Sequence, residues 1–204
     1  MRKNAPPRKK TSGRKTRKRQ VRDPAATEAA LLDAAEAEFN AHGFDGTDTN
    51  RIARAAGFAP QTFYRHFEDK RAVFLAVYDR WWKGESAALE KPAQEQPVNV
   101  EAAARVALAV HMKWRGFRRA LRHLAIVDAK VRAARTAARR EQIARIRAFT
   151  GDARSDQELA AALLKAERLT DAAAEGELAD LGLSPAAAKT LVMTAVAELL
   201  GVAA

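Results

Sequence analysis

Residues 47–67, TDTNRIARAAGFAPQTFYRHF, constrain the chain more than any other stretch. Thr47 or Asp48 caps a short helix whose apolar side carries Ile52, Ala53 and Ala56. Gly57 supplies the backbone freedom that a sharp reversal needs. Pro60 suits the first turn of a following helix, where a missing N–H costs nothing. Phe63 and Phe67 are four residues apart, so they share one helix face and anchor it to a core. Pro60, Gln61, Tyr64 and Arg65 then face outward. The pattern is a helix-turn-helix whose second helix is held by aromatics behind and presents polar groups in front. Reading the major groove of a duplex requires such a helix.

Charge sharpens this expectation. The net charge is +11, yet residues 1–22 hold eleven Lys or Arg and no acid, so the bases and acids after them balance. Residues 23–84, around the helix-turn-helix, carry a net −3 from seven bases and ten acids. A DNA-reading module with that balance has little long-range attraction for phosphate, and a basic arm can supply it. Arg14, Lys15, Arg17, Lys18 and Arg19 are the candidates for phosphate or minor-groove contact. A solvated tail without function is the competing reading of the arm.

Apolar content of 48% with only 6% aromatic, and abundant Ala and Leu, predicts an all-α protein. Cysteine is absent, which excludes disulfides, thiolate metal sites and cysteine nucleophiles. No apolar run approaches the roughly 20 residues of a membrane span, and the basic start lacks the apolar core of a secretory signal. A cytoplasmic location is expected. Gly-rich phosphate loops, nucleophile–base pairs and metal-ligand arrays are not apparent, so neither an enzyme nor a cofactor is expected. His111 and His123 lack a carboxylate cluster that would make them metal ligands.

The chain divides into a disordered basic arm over 1–22, a DNA-binding domain over 23–84 and an effector-binding and dimerisation domain over 85–204, with about nine helices in all. Asp23-Pro24 starts the first helix, which ends near His42-Gly43. Asp69 caps a fourth, running through Phe74, Val77 and Trp81, and a boundary region follows from Gly84 to Pro97. Helices are predicted near 98–114, 117–126 and 129–149, the last closed by Gly151. Ser155 and Glu158 have capping-box spacing for a helix over about 155–173, and Ser184-Pro185 begins a final one over about 184–201.

Four spaced segments, LLDAAEAEF, GFDGT, IARAAGF and TFYRHFEDK, occur in order between Leu31 and Lys70. With the apolar start of the next helix, through Tyr78, they resemble the tetracycline-repressor (TetR) family of bacterial transcriptional regulators. The resemblance implies a homodimer with two DNA-binding domains and a larger regulatory domain. It places Asn50, Pro60, Gln61, Thr62 and Tyr64 at base-reading and phosphate-contacting positions, and Thr47 and Lys70 at sites anchoring the DNA backbone. Three positions depart from the family pattern. Thr49 replaces an aliphatic, which implies looser packing under the second helix. Ala59 replaces a serine cap, at a cost of about 1 kcal/mol to the helix start. Gln61 replaces a small residue and shifts base preference.

The implied function is sequence-specific, effector-responsive repression at a near-palindromic stretch of double-stranded DNA. A mainly nonspecific architectural DNA-binding protein, driven by the arm, is the alternative. Leu159, Leu163, Leu191, Ala195 and Leu199 on the last two helices are candidates for the dimer interface. His111, Trp114 and Phe117 are candidates for the effector pocket. Residues 115–147 hold eleven Lys or Arg against Asp128 and Glu141. Pairing with the acidic 152–180 stretch is the simpler account, and an anionic small-molecule effector the sharper one.

Overall fold

The computed structural model describes residues 23–94, 97–151 and 153–202. All regular structure among them is helical: α1 (Pro24–His42), α2 (Thr49–Ala55), α3 (Pro60–Phe63), α4 (Lys70–Gln94), α5 (Val100–Lys113), α6 (Arg115–Val127), α7 (Ala129–Thr150), α8 (Asp156–Glu175), α9 (Glu177–Asp180) and α10 (Pro185–Leu200). The basic arm lies outside the described residues. Among the described residues no helix is long and apolar enough to cross a membrane.

Local chemistry sets most of the ends. Asp23 accepts from Ala25 N at 3.0 Å and Pro24 takes the first helical position of α1. Asp48 rather than Thr47 caps α2, accepting from Arg51 N at 2.8 Å. Asp69 caps α4 through Ala72 N at 2.7 Å. Ser155 and Glu158 complete the reciprocal capping box of α8, satisfying two amides that a helix start leaves unpaired. Gly151 ends α7 in the left-handed region at φ 61°, as its place in the sequence predicts.

Two boundaries differ from expectation. α4 continues through Gly84 to Gln94, where a boundary region was predicted. An exposed helical glycine costs only about 1 kcal/mol, and the turns on either side of it bury Trp81 and Glu85. The additional helix, α9, is a single turn between the glycine reversals at Gly176 and Gly182.

The cores do not divide at residue 84. The largest joins Leu31, Phe39, Ile52, Phe63, Phe74 and Trp81 to Phe117, Leu121 and Val131 of α6 and α7. A second lies among α7, α8 and α10, around Ile146, Leu159, Leu163 and Leu199. A third joins Ala103 and Ala104 of α5 to Val192, Val196 and Leu200 of α10. The helix-turn-helix therefore rests on the same packed interior as the helices behind it.

Candidate nucleic-acid interface and cavity

The turn between α2 and α3 is made by Gly57 at φ 76°. Its amide donates to Arg54 O at 3.0 Å, and Phe58 N donates to Ala53 O at 2.8 Å. Ala59 gives α3 no side-chain cap, and Pro60 opens the helix. Phe63 is fully buried and lies 5.6 Å from Phe67, ring to ring. These two rings hold α3 and the turn after it from behind. In front, Asn50, Gln61 and Arg65 are exposed, Tyr64 is 57% exposed, and Pro60 and Thr62 are half-buried. Arg54, which sequence reasoning did not single out, is exposed beside them.

Thr49 has a specific partner. Its hydroxyl lies 2.9 Å from the Tyr64 hydroxyl and shares a hydrogen bond with it. The polar residue that departs from the family pattern thus ties α2 to the turn after α3 and orients the phenol.

Thr47 and Lys70 are used inside the protein. Thr47 is 2% exposed and its hydroxyl donates to Glu38 O at 3.2 Å. Lys70 Nζ donates to Phe44 O at 2.8 Å and to Thr47 O at 2.9 Å, and stands 4.1 Å above the Phe44 ring. Both fasten the α1–α2 loop from within, beside the anchoring of the DNA backbone that the sequence leads one to expect of them. Arg51 is likewise engaged, by Glu38 and His42. Arg14, Lys15, Arg17, Lys18 and Arg19 lie outside the described residues.

Behind this module a cavity of about 130 Å³ opens among α4, α5, α6, α7, α8 and α10. Tyr78, Trp81, Trp82, Leu121, Leu163 and Val196 give it largely apolar walls, and Glu85, His111, Arg118, Arg135, Arg139 and Glu167 also line it. Of the three expected pocket residues, His111 lines it. Trp114 and Phe117 do not. They belong to the aromatic core, where Phe117 stacks on Phe74 at 4.6 Å and meets Trp114 edge-on at 5.7 Å. Sequence reasoning missed Tyr78 and Glu85, although Tyr78, Trp81 and Glu85 have the spacing of one helix face.

The arginines around the cavity have carboxylate partners. Arg118 Nε donates to Asp171 at 2.6 Å, and Arg122 contacts Asp171 at 2.6 Å and also pairs with Glu175. Arg135 and Arg139 both donate to Glu167. Arg145 pairs with Glu141, and Arg147 with Asp156 at 2.6 Å. Much of the basic stretch is thus neutralised by α8, as the simpler account expects. Burial pushes Asp171 upward, but bonds from His111 and Arg118 outweigh it and hold the carboxyl below the usual carboxylate range. Burial lowers His111, against the pull of Asp171 2.9 Å away.

Glu85 differs from these acids. It is buried, takes no hydrogen bond among the described residues, and has His111 at 3.7 Å and Arg118 at 3.9 Å as its nearest basic groups there. Burial, only partly offset by Arg118, pushes it up to about 7.

The five expected interface residues divide. Leu159, Leu163, Ala195 and Leu199 are buried in the seam between α8 and α10 of one chain. They hold those helices to each other, so their side chains do not offer a surface to a second copy. Leu191 is exposed, and so is Leu164 of α8. The period of an apolar helix face does not distinguish contact within a chain from contact between chains.

A helix-turn-helix module seated on a helical bundle with an internal cavity is the architecture of a helix-turn-helix regulator. Residues 31–77 match the model of the family "Bacterial regulatory proteins, tetR family". This segment of the chain is similar to the DNA-binding module of that family.

Among curated relatives, the HTH-type transcriptional repressor SCO4008 of Streptomyces coelicolor is 39% identical over 60 residues, 29% of this chain and 31% of that protein. The HTH-type transcriptional regulator YdgC of Bacillus subtilis is 33% identical over 81 residues, 39% of this chain and 42% of that protein. The matched segments thus span less than half the length of these relatives. A TetR-family regulator from Rhodococcus sp. superimposes with a TM-score of 0.66 at 15% identity, covering 86% of this chain and 99% of that one. SmeT, the repressor of the Stenotrophomonas maltophilia efflux pump SmeDEF, gives 0.55 at 22% identity, covering 88% and 91%. At such identities the likeness shows the shared fold.

Proposed function

We propose that this protein represses transcription by binding a near-palindromic operator as a homodimer, and that a small molecule in the cavity releases it. The observation that carries this reading is the exposed front of α3 and its flanking turn. Gln61, Tyr64, Arg65 and Asn50 face outward together, while Phe63 and Phe67 fix the rod behind them. Gln61 has the donor and acceptor to pair with adenine, and Tyr64 and Thr62 have hydroxyls for phosphate oxygens. The arm over residues 1–22 brings the positive charge that the module lacks.

Dimerisation places two such rods in successive major grooves, about 34–36 Å apart. The outward leucines of α8 and α10, Leu164 and Leu191, contribute to the contact between copies. A ligand shifts the equilibrium only by binding one spacing of the rods better than the other. The continuous core from α2 through α4 to α6 and α7 supplies the mechanical link. A repressor role accords with the curated name of the SCO4008 relative.

Selection of duplexes from a random pool by the purified chain, followed by competition with bulk DNA at fixed salt, tests the reading. A regulator enriches two related half-sites and prefers them at least about a thousandfold over bulk duplex. Equal affinity for all duplexes would instead establish the architectural alternative.

A further inference from the structure

We infer that the cavity accepts a small aryl-alkyl amine, with Glu85 meeting its ammonium group and the indole N–H of Trp81 donating to an acceptor atom on the same molecule. The inference rests on the effector-responsive reading and names the ligand class of that site.

Two independent observations carry it. First, Trp81 is one of the residues lining the cavity, and its Nε1 is buried without a hydrogen-bond partner. A buried donor left unsatisfied costs on the order of 1–3 kcal/mol, which a ligand acceptor would recover. Second, Glu85 lines the same wall and takes no hydrogen bond among the described residues. Residues 81 and 85 are four apart on α4, so their side chains are neighbours on one helix face. An acceptor and a cationic donor held close together on one ligand would satisfy both.

The competing class is an anion, favoured by the number of arginines near the site. Their pairing argues against it. Arg118 is bonded to Asp171, Arg135 and Arg139 share Glu167, and Arg145 is bonded to Glu141. An anion would have to displace a carboxylate already in place. A cation at Glu85 breaks no hydrogen bond to that carboxylate among the described residues; its nearest basic groups, His111 and Arg118, stand 3.7 and 3.9 Å away. Burial keeps that carboxyl half-protonated near neutral pH, and an ammonium group beside it would favour the ionised form and expel the proton.

Size and lining agree. A volume of about 130 Å³ suits a single-ring molecule. Tyr78, Trp82, Leu121, Leu163 and Val196 present apolar surface to such a ring. Arg118 already lies over the Trp81 face, 5.2 Å from its centre, so the ammonium is drawn to Glu85 rather than to that ring.

Calorimetric titration of the full chain with three matched probes tests the class. 3-Phenoxypropylamine, 3-phenoxypropan-1-ol and 3-phenoxypropanoate share one skeleton and one ether acceptor and differ in charge. The amine is expected to bind at least tenfold more tightly than either other probe. Glu85→Gln should remove that advantage and leave the alcohol unchanged, while Trp81→Phe should weaken all three by a similar factor. Circular dichroism of each variant shows whether it is folded.

Tighter binding of the carboxylate, an unchanged amine affinity in Glu85→Gln, or no binding of any probe at millimolar concentration would overturn the inference. Operator binding measured on the same preparation keeps the two readings apart. A chain that selects its operator but prefers the anion loses only the ligand class. A chain that binds the amine but selects no operator loses the regulator.

Discussion

Asn40 and Gly116 lock α1 to the start of α6. The Asn40 carboxamide accepts from Gly116 N at 3.0 Å and from Phe117 N at 3.2 Å, and donates to Lys113 O at 2.7 Å. A distant side chain thereby caps α6, which has no side-chain cap from its own N-cap residue, Trp114. The approach is so close that a Cβ at residue 116 would fall 1.8 Å from the backbone oxygen of Asn40. Gly116→Ala must therefore push α6 away from α1, and a loss of about 1–3 kcal/mol is expected. Asn40→Ala leaves two helix-start amides without their acceptor and should cost about 1–2 kcal/mol. Urea unfolding checks both. Because the clamp joins the DNA-binding helices to a helix lining the cavity, either change should also weaken the effect of an effector on DNA affinity.

Lys70 is expected to act through the fold. Its ammonium satisfies two loop carbonyls, so Lys70→Met leaves both without that donor and should destabilise the chain by about 1–3 kcal/mol. If the lysine instead served mainly as a phosphate contact, the variant would keep its midpoint and lose one unit of salt dependence.

Residues 1–22 should dominate the salt dependence of DNA binding. If six of their eleven charges neutralise phosphates, deleting the segment flattens the log–log slope by about five units. Titrations from 50 to 300 mM salt (roughly the range over which such slopes are read) measure it. An unchanged slope would remove the arm from the mechanism.

Glu85 gives stability a pH dependence of unusual sign. Its carboxyl rises from the usual 4.5 to about 7 on folding, so between these values the folded chain holds a proton that the unfolded chain has lost. Stability from this group therefore falls as pH rises through that window, by at most about 3 kcal/mol. Arg118 from α6, His111 from α5, and Glu167 and Asp171 from α8 are the charged and titratable groups around it. Glu85→Gln should remove the decline between pH 5 and pH 7.5 in urea midpoints, whereas a parallel decline in both proteins would assign it to other groups.

The sequence made the DNA-facing half legible because local rules act there almost alone. Gly57, Pro60, the Phe63–Phe67 pair and the capping residues Asp23, Asp48, Asp69 and Ser155 each declare their role within a few positions of themselves. Long-range geometry was not legible in the same way. Thr47 and Lys70 have the chemistry of phosphate ligands, and only the fold shows that Thr47 bonds to a carbonyl of α1 and Lys70 to two carbonyls of the α1–α2 loop. Leu159 and Leu199 form an apolar stripe that looks alike whether its partner is the same chain or another copy. Trp114 and Phe117 carry no mark separating core from cavity wall. Glu85 was missed because a lone acid in a helix ordinarily faces water.

Gln61 offers the most direct test of the central claim, that the exposed rod reads bases. Affinities of the wild-type chain and Gln61→Ala would be measured against the selected operator and against every single-base variant of one half-site. The account predicts that wild type loses about 1–3 kcal/mol at one or two positions per half-site, and that Gln61→Ala loses this discrimination there while keeping its salt slope and its unfolding midpoint. Full discrimination at every position in Gln61→Ala would contradict it.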